Sequence, residues 1–466
     1  MTYAEAVSRI LALRGGELAG MRPGLERIQG VLDALGNPER RYGIVHVAGT
    51  NGKGSVAVMA ASILKAAGLR VGLYTSPHLC SFRERIRVNG EAISEPDLAR
   101  GVEALEPLVT GFDTTMFEAT TALAFSHFAR EGVEIAVLEV GMGGRLDATT
   151  VGSPLVSVVT RIDYDHRAYL GWSLEEIARE KAAIIRSGRA VAGAQAAEAA
   201  GILLSRAGSV GVPLLLEGRD LAVSVERADL TGQRLHVAGP EWALSDLSLP
   251  LLGVFQPGNA LLAVAAVKEL MASGVEVSEE AIRRGLGRVR WPGRFQVIGR
   301  DPLSPARASS PTRPAASHPS ASHPWMILDG AHNPAGAQAL AASLNAYFGE
   351  EPKTVILGIS SDKDKAGILK CLAPLATRLI LTASSHPRAT PPEDLLALLP
   401  PTEARVETSR SVAEALSLAQ DDPKTPIICV SGSLFTIADA LSLIRGVRDI
   451  PCGIEGGIDS IESLFS

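Results

Sequence analysis

Residues 46–55 run His46-Val47-Ala48-Gly49-Thr50-Asn51-Gly52-Lys53-Gly54-Ser55, a short apolar segment opening into a glycine-rich turn with one lysine. Gly49, Gly52 and Gly54 let the backbone turn its N–H groups toward one point. The run Val56 to Ala67 reads as a helix whose N-terminus faces that point. Converging amides, a positive helix end and Lys53 make a cradle for a polyphosphate such as ATP. The pattern departs from the common phosphate loop: Val47 stands where a glycine would, and Gly54 follows the lysine, with the hydroxyl of Ser55 one place later. An ordinary strand–turn–helix junction is the plainer reading of such a turn, and the rest of the chain decides between the two.

Further groups stand where strands end. Glu139 lies in the apolar run Ile135–Val140, before Gly141-Met142-Gly143-Gly144-Arg145-Leu146-Asp147. Ligands of open α/β sheets sit beyond the carboxyl ends of strands, so a carboxylate there suits Mg²⁺ bridging ATP oxygens. Arg145 and Asp147 are also spaced for a local salt bridge. The run Leu155–Thr160 leads to Asp165-His166, whose imidazole would join the same metal. Ser76, after Val71–Tyr74, offers a hydroxyl to that metal, or else a simple Ser-Pro turn. Lys181 sits among apolar neighbours; it either snorkels to solvent or, buried near cations, becomes a neutral amine of lowered pKa. Asp329 and His332 occupy a later strand end, Leu328 to Pro334, and would face the phosphate site if two domains close over a cleft. Asn259 heads the helical run Ala260–Leu270. Arg294 follows Trp291-Pro292-Gly293 and suits a phosphoryl clamp, or an interdomain ion pair.

The elements that must position these groups alternate strand and helix, which predicts a doubly wound α/β fold. The strand runs are continuously apolar, as buried parallel strands are. A helix is expected from Ser173 to Arg186, with Ser173 and Glu176 spaced as a capping box. A second α/β block starts near Trp325, with strands at Met326–Leu328, Thr354–Gly358, Leu379–Thr382 and Pro426–Ser431. The expected division is an N-terminal phosphate-loop-type domain (1–297), a Ser/Pro/Ala-rich linker or insertion (298–324), a smaller Rossmann-like domain (325–448) and a tail (449–466). His318 and His323 in the linker, with no Cys or acid beside them, read as loop residues rather than a metal tract.

The 466 residues exceed one ordinary core, and 46% hydrophobic with 21% charged residues is a globular composition. A net charge of −6 without a Lys/Arg block argues against nucleic-acid binding, and no apolar run is long enough to span a membrane. Four scattered cysteines form no CxxC pair, and the N-terminus has no signal pattern; a cytoplasmic protein is expected.

Taken together, His46–Ser55, Ser76-Pro77-His78-Leu79, Leu138–Asp147, Asp165-His166, Glu180-Lys181-Ala182 and Asp329–Pro334 resemble the folylpolyglutamate synthase/dihydrofolate synthase family of Mur-type ligases. The resemblance runs from about Leu25 to Leu443 in the family's order. It implies ATP contacts from Thr50, Asn51, Gly52, Lys53, Gly54, Ser55, Asn259, Arg294 and Asp329. Ser76, Glu139, His166 and a carbamylated Lys181 would hold two Mg²⁺ ions, with Lys53, Lys181 and His332 serving catalysis. The pterin-side substrate would lie against Gly24, Leu25, Thr115, Met116, Phe117, Leu146, Asp147 and Ala148. The activity implied is an ADP-forming ligation of L-glutamate to dihydropteroate or a reduced folate by a monomer. Another Mur-type amino-acid ligase with a non-folate carboxylate, or a phosphate-loop kinase, are the alternatives.

Overall fold

Val45 and Val47 turn to one side of their strand, toward a helix, while Ile44 faces the opposite core with Ala136 and Leu138. That strand is buried on both faces and central to a parallel sheet, which is why its sequence is apolar without alternation. The structure, a computed structural model, describes residues 1–13, 22–299, 324–421 and 426–444. Most of the expected linker, with His318 and His323, and the expected tail lie outside the described residues. The chain divides into two compact units, one comprising Met1–Leu251 with Phe255–Trp291, the other Leu252–Val254 with the described residues from Pro292 onward.

The first unit contains β1 (Gly43–Ala48), β2 (Val71–Tyr74), β3 (Ile86–Val88), β4 (Glu91–Ala92), β5 (Ile135–Glu139), β6 (Val156–Val159), β7 (Arg189–Ala192) and β8 (Leu214–Leu216). They pair in the order β4-β3-β2-β5-β1-β6-β7-β8, parallel except at β3 and β4. Val47 pairs with Glu139 and Ala48 with Val159, so β5, β1 and β6 end side by side. Strands about 4.8 Å apart thus deliver three loops to one edge.

The helix expected from Val56 begins earlier, at Lys53, with Gly52 as its N-cap at φ 90°. The lysine therefore belongs to the first helical turn. The helix expected over Ser173–Arg186 keeps its Ser173/Glu176 capping box but ends at Ala182. There Ile184 and Ile185 turn into the core, their N–H groups donating to the carbonyls of Lys181 and Ala182 in tight turns.

The sequence reading did not anticipate β9 (Ala222–Asp229), β10 (Gly232–Gly239) and β11 (Trp242–Leu249), an antiparallel sheet ordered β11-β10-β9. Leu235, Val237, Leu244, Leu247 and Leu249 join the core of the first unit, and the other face is polar.

The second unit holds β12 (Gln296–Ile298), β13 (Trp325–Leu328), β14 (Lys353–Leu357), β15 (Arg378–Leu381), β16 (Arg405–Thr408) and β17 (Ile427–Ser431). Their order is β12-β13-β17-β14-β15-β16, parallel except at β12. The four expected strands are β13, β14, β15 and β17. The two unexpected ones are edge strands with no fully buried residue, so no apolar run announces them.

Candidate active site

At the end of β1 the backbone turns sharply, with Gly49 at φ 144° and Gly52 at φ 90°. A Cβ on Gly49 would lie 1.8 Å from the Thr160 hydroxyl, and one on Gly52 would lie 2.4 Å from Asn259 Oδ1. Only glycine fits either place. Asn259, a predicted ATP contact at the head of the helix Gln256–Ala272, is thereby packed on the turn, its amide held by Gln256 at 3.0 Å.

Neighbouring strand ends brace the turn. The Thr50 N–H donates to the Arg161 carbonyl, and its hydroxyl donates to the Asp163 carbonyl at 2.9 Å. The Thr160 hydroxyl donates to the Asn51 carbonyl at 2.7 Å. These bonds tie the loop carrying Asp165 and His166 to the phosphate turn. His166 itself is half-buried at φ 50°, its Nε2 3.9 Å from Asp165 Oδ2.

Two lysines converge on one carbonyl. Lys53 Nζ donates to Gly49 O at 3.2 Å and to Thr50 O at 3.0 Å; Lys181 Nζ donates to the same Gly49 O at 2.8 Å. Lys181 does not snorkel: it is 5% exposed. Burial, then the charge of Lys53, brings its pKa down to about 7, against Asp165, Asp147 and Glu180.

On the other side of the turn, a Cβ on Gly54 would lie 3.4 Å from a Glu139 carboxylate oxygen. Glu139, buried at the end of β5, accepts the Ser76 N–H at 3.1 Å. Phosphate turn, Glu139 and Ser76 therefore meet at one edge of the sheet, with the loop of His166 bonded to the same turn. Among the described residues no three His, Cys, Asp or Glu side chains cluster as a self-sufficient metal site. Glu139 and the adjoining Ser76 offer oxygen donors, the ligand type that Mg²⁺ takes.

The loop after Glu139 closes toward the helix Leu174–Ala182. Arg145 pairs with Glu180 at 2.9 Å, which corrects the salt bridge considered between Arg145 and Asp147. Asp147 instead accepts the Met142 and Thr149 N–H groups and the Thr149 hydroxyl; burial raises its pKa against those bonds. Phe117 packs its ring tip on Gly141 and lies 6.0 Å from the Tyr74 ring, with Met116 buried beside it. Thr115 caps that helix, and Glu118 in its first turn pairs with Arg27, which also donates to the Gly24 carbonyl. Gly24 and Thr115 are thus joined through one ion pair.

In the second unit, buried Asp329 at the end of β13 accepts the Phe295 N–H at 2.7 Å and the Ala331 N–H at 2.9 Å. Burial raises its pKa, and the Arg294 guanidinium opposes that. His332 Nδ1 bonds the Gly330 carbonyl at 2.8 Å, so that nitrogen carries the proton.

Sequence reasoning missed Thr160, Asp163 and Gln256, which brace the turn, and Trp291, whose indole edge would meet a Gly54 Cβ at 3.0 Å. Thr160 alone left a signal, as the last residue of an apolar strand run.

Comparison with known proteins identifies the family. Residues 47–267 match the Mur ligase middle domain, and residues 318–434 the Mur ligase glutamate ligase domain. The chain is 36% identical over 457 residues to a folylpolyglutamate synthase of Lacticaseibacillus casei, covering 96% of this chain and 99% of that one. It is 34% identical over 440 residues to a dihydrofolate synthase/folylpolyglutamate synthase of Escherichia coli, covering 91% and 92%. The Mycobacterium tuberculosis folylpolyglutamate synthase complexed with ADP superposes with a TM-score of 0.84 at 33% identity, over 96% of this chain and 100% of that one. E. coli FolC in complex with DHPP and ADP gives 0.83 at 32%, over 96% and 99%. With both domains matched and identity sustained over nearly the whole length, the chain belongs to the folylpolyglutamate synthase/dihydrofolate synthase family of Mur-type ligases.

Proposed function

We propose that this chain is an ADP-forming ligase that joins the amine of L-glutamate to a carboxylate of 7,8-dihydropteroate, a tetrahydrofolate, or both. The observation that carries the reading is the convergence of Lys53 and Lys181 on the Gly49 carbonyl, beside Glu139 and Gly54. A nucleotide switch has no need of a second, buried lysine at its phosphate turn. An acyl-transfer ligase needs positioning and charge neutralisation there. Relatives solved with ADP, and with DHPP and ADP, support the same reading.

The residues divide the work. Backbone amides from Thr50 to Ser55 and the Lys53 ammonium hold the phosphates, with Asn259, Arg294 and Asp329 as further nucleotide contacts. Ser76, Glu139 and His166 would hold magnesium, a donor set of hard oxygens and one imidazole. Two bound Mg²⁺ ions would neutralise the phosphate charge and align the γ-phosphoryl group. Lys181, with its pKa near 7, is available as a free amine for CO₂; a carbamate there would turn a cation into an anion. The substrate carboxylate attacks the γ-phosphorus, ADP leaves, and the glutamate amine displaces phosphate from the resulting acyl phosphate. His332, its ring oriented by the Gly330 carbonyl, places the incoming glutamate. Gly24, Leu25, Met116, Phe117, Leu146 and Ala148 border the pterin side, with Asp147 fixing their loop. The first unit carries the glycine turn and the pterin side, the second carries Arg294, Asp329 and His332, and the enzyme works as a cytoplasmic monomer.

Mass spectrometry of products from dihydropteroate and from tetrahydrofolate, each with glutamate and Mg-ATP, tests the proposal. A product heavier by one glutamyl residue, with ADP released, is expected from at least one. Turnover only with a nucleotide-sugar carboxylate would assign another Mur-type ligation. ATP hydrolysis indifferent to amino acid would assign a kinase-like activity.

A further inference from the structure

His46 lies on β1, three residues before Gly49, fully buried between Leu138 of β5 and Ser157 of β6 in register. Its Nε2 is 2.8 Å from the Thr149 hydroxyl, and that hydroxyl donates to Asp147 Oδ1 at 2.5 Å. A threonine hydroxyl has one proton to give. With that proton on the Asp147 side, it accepts from His46, so Nε2 carries the imidazole hydrogen and Nδ1 is bare. Nδ1 is buried and has no partner among the described residues. Burial, with the Arg186 charge, drops the pKa of His46 to about 3, which keeps the ring neutral.

Packing does not account for such a residue. A leucine would fill a site between apolar strands without stranding a nitrogen, which costs free energy. The hydrogen-bond chain does account for it. Asp147 is the hub of its loop: Oδ1 takes the Thr149 N–H and hydroxyl, and Oδ2 takes the Met142 N–H at 2.9 Å. Its backbone N–H donates to the Gly144 carbonyl, as does the Thr150 hydroxyl. One carboxylate therefore sets the course of the Gly141–Ala148 loop, including Gly141, on which Phe117 rests.

We infer that His46 is a positioning residue for the acid substrate, orienting the Asp147 carboxylate through the Thr149 hydroxyl and so fixing the Gly141–Ala148 loop. The inference rests on the reading that this loop borders a pterin or folate acid. Glu139 is held by strand pairing with Val47 rather than by the chain His46–Thr149–Asp147, so a cut in that chain acts first on the Gly141–Ala148 loop.

The test compares Thr149→Val, Thr149→Ser, His46→Leu and the double variant His46→Leu/Thr149→Val, reading KM for the pterin acid and for Mg-ATP together with the melting temperature. T149V is expected to raise the acid KM at least about tenfold and leave the ATP KM within about twofold. T149S, which restores the hydroxyl, should return to within about threefold of the wild type. H46L should match T149V, and the double variant should be no worse than either, because one chain is cut once or twice. An unchanged acid KM, a parallel rise in both KM values, or additive effects in the double variant would overturn the inference. Should T149V fail to fold, H46L against His46→Gln makes the same comparison, since a glutamine amide can donate where Nε2–H does. A wild type that neither binds nor turns over a pterin acid refutes the proposed function itself, a result distinct from turnover that ignores Thr149.

Discussion

Burial disfavours the charged form of the Lys181 amine, and the Lys53 ammonium on the same carbonyl adds to the effect. Lys181 therefore titrates near 7, where an unfolded lysine titrates at 10.5. Between those values the unfolded chain binds the extra proton, so this group makes stability rise with pH from about 7 to about 10.5. Its availability to CO₂ falls as pH drops through 7. Isotope-labelled bicarbonate should give a carbamate signal by carbon NMR at pH 8 that fades by pH 6, and Lys181→Ala should remove it. The same variant is expected to lose at least about 100-fold in ADP release with glutamate and pterin acid present; undiminished turnover would contradict the metal-bridging role. His46 has the same sign in another window. Its pKa falls from an ordinary 6.5 to about 3, so the unfolded state takes up a proton first and stability is lost as pH falls below 6.5. At pH 5 this penalty is about 2 kcal/mol. His46→Gln should therefore shift the acid-unfolding midpoint downward relative to the wild type, measured by circular dichroism.

At the scale of elements, the turn between β1 and its helix tolerates little. Gly49→Ala drives a methyl group into Thr160, and the strained φ adds to the clash; little folded protein is expected on expression. Gly54→Ala is milder, with its methyl 3.0 Å from Trp291 and 3.4 Å from Glu139. It should fold and raise the ATP KM about tenfold or more, read from initial rates. These elements were legible because their residues leave local marks. The strand Val71–Tyr74 is continuously apolar, the Ser173/Glu176 spacing is a cap, and the glycines from 49 to 54 have no other economical use. The sheet of β9 to β11 was not legible, because its buried leucines are interrupted by a register shift between Leu235 and Val237. Nor was the end of the helix at Ala182, which is set by two isoleucines finding a distant core. In the site, Glu139 and Lys53 follow from position after a strand. Arg145 joining Glu180 rather than Asp147 does not, since that choice depends on a helix arriving from 35 residues away.

For the whole molecule, the site is a thermodynamic handle. A ligand that binds only the folded state stabilises it by about 2.7 kcal/mol at a hundred times its Kd. Mg-ADP should raise the melting temperature of the wild type, and Lys53→Met should abolish most of the rise; a shift of equal size in both would place the nucleotide elsewhere. The position of β1 has one more consequence. Flanked by β5 and β6, its end bonds the residues that follow β6 and lies beside the end of β5, so almost any change to it disturbs several partners at once. Phe117 touches the loop at Gly141 and lies near the Tyr74 ring, and Met116 precedes it in the same helical turn, away from the hydrogen bonds that brace the glycine turn. Drift toward a different acid, in nature or in directed evolution, should therefore accumulate at those two side chains while β1 stays frozen.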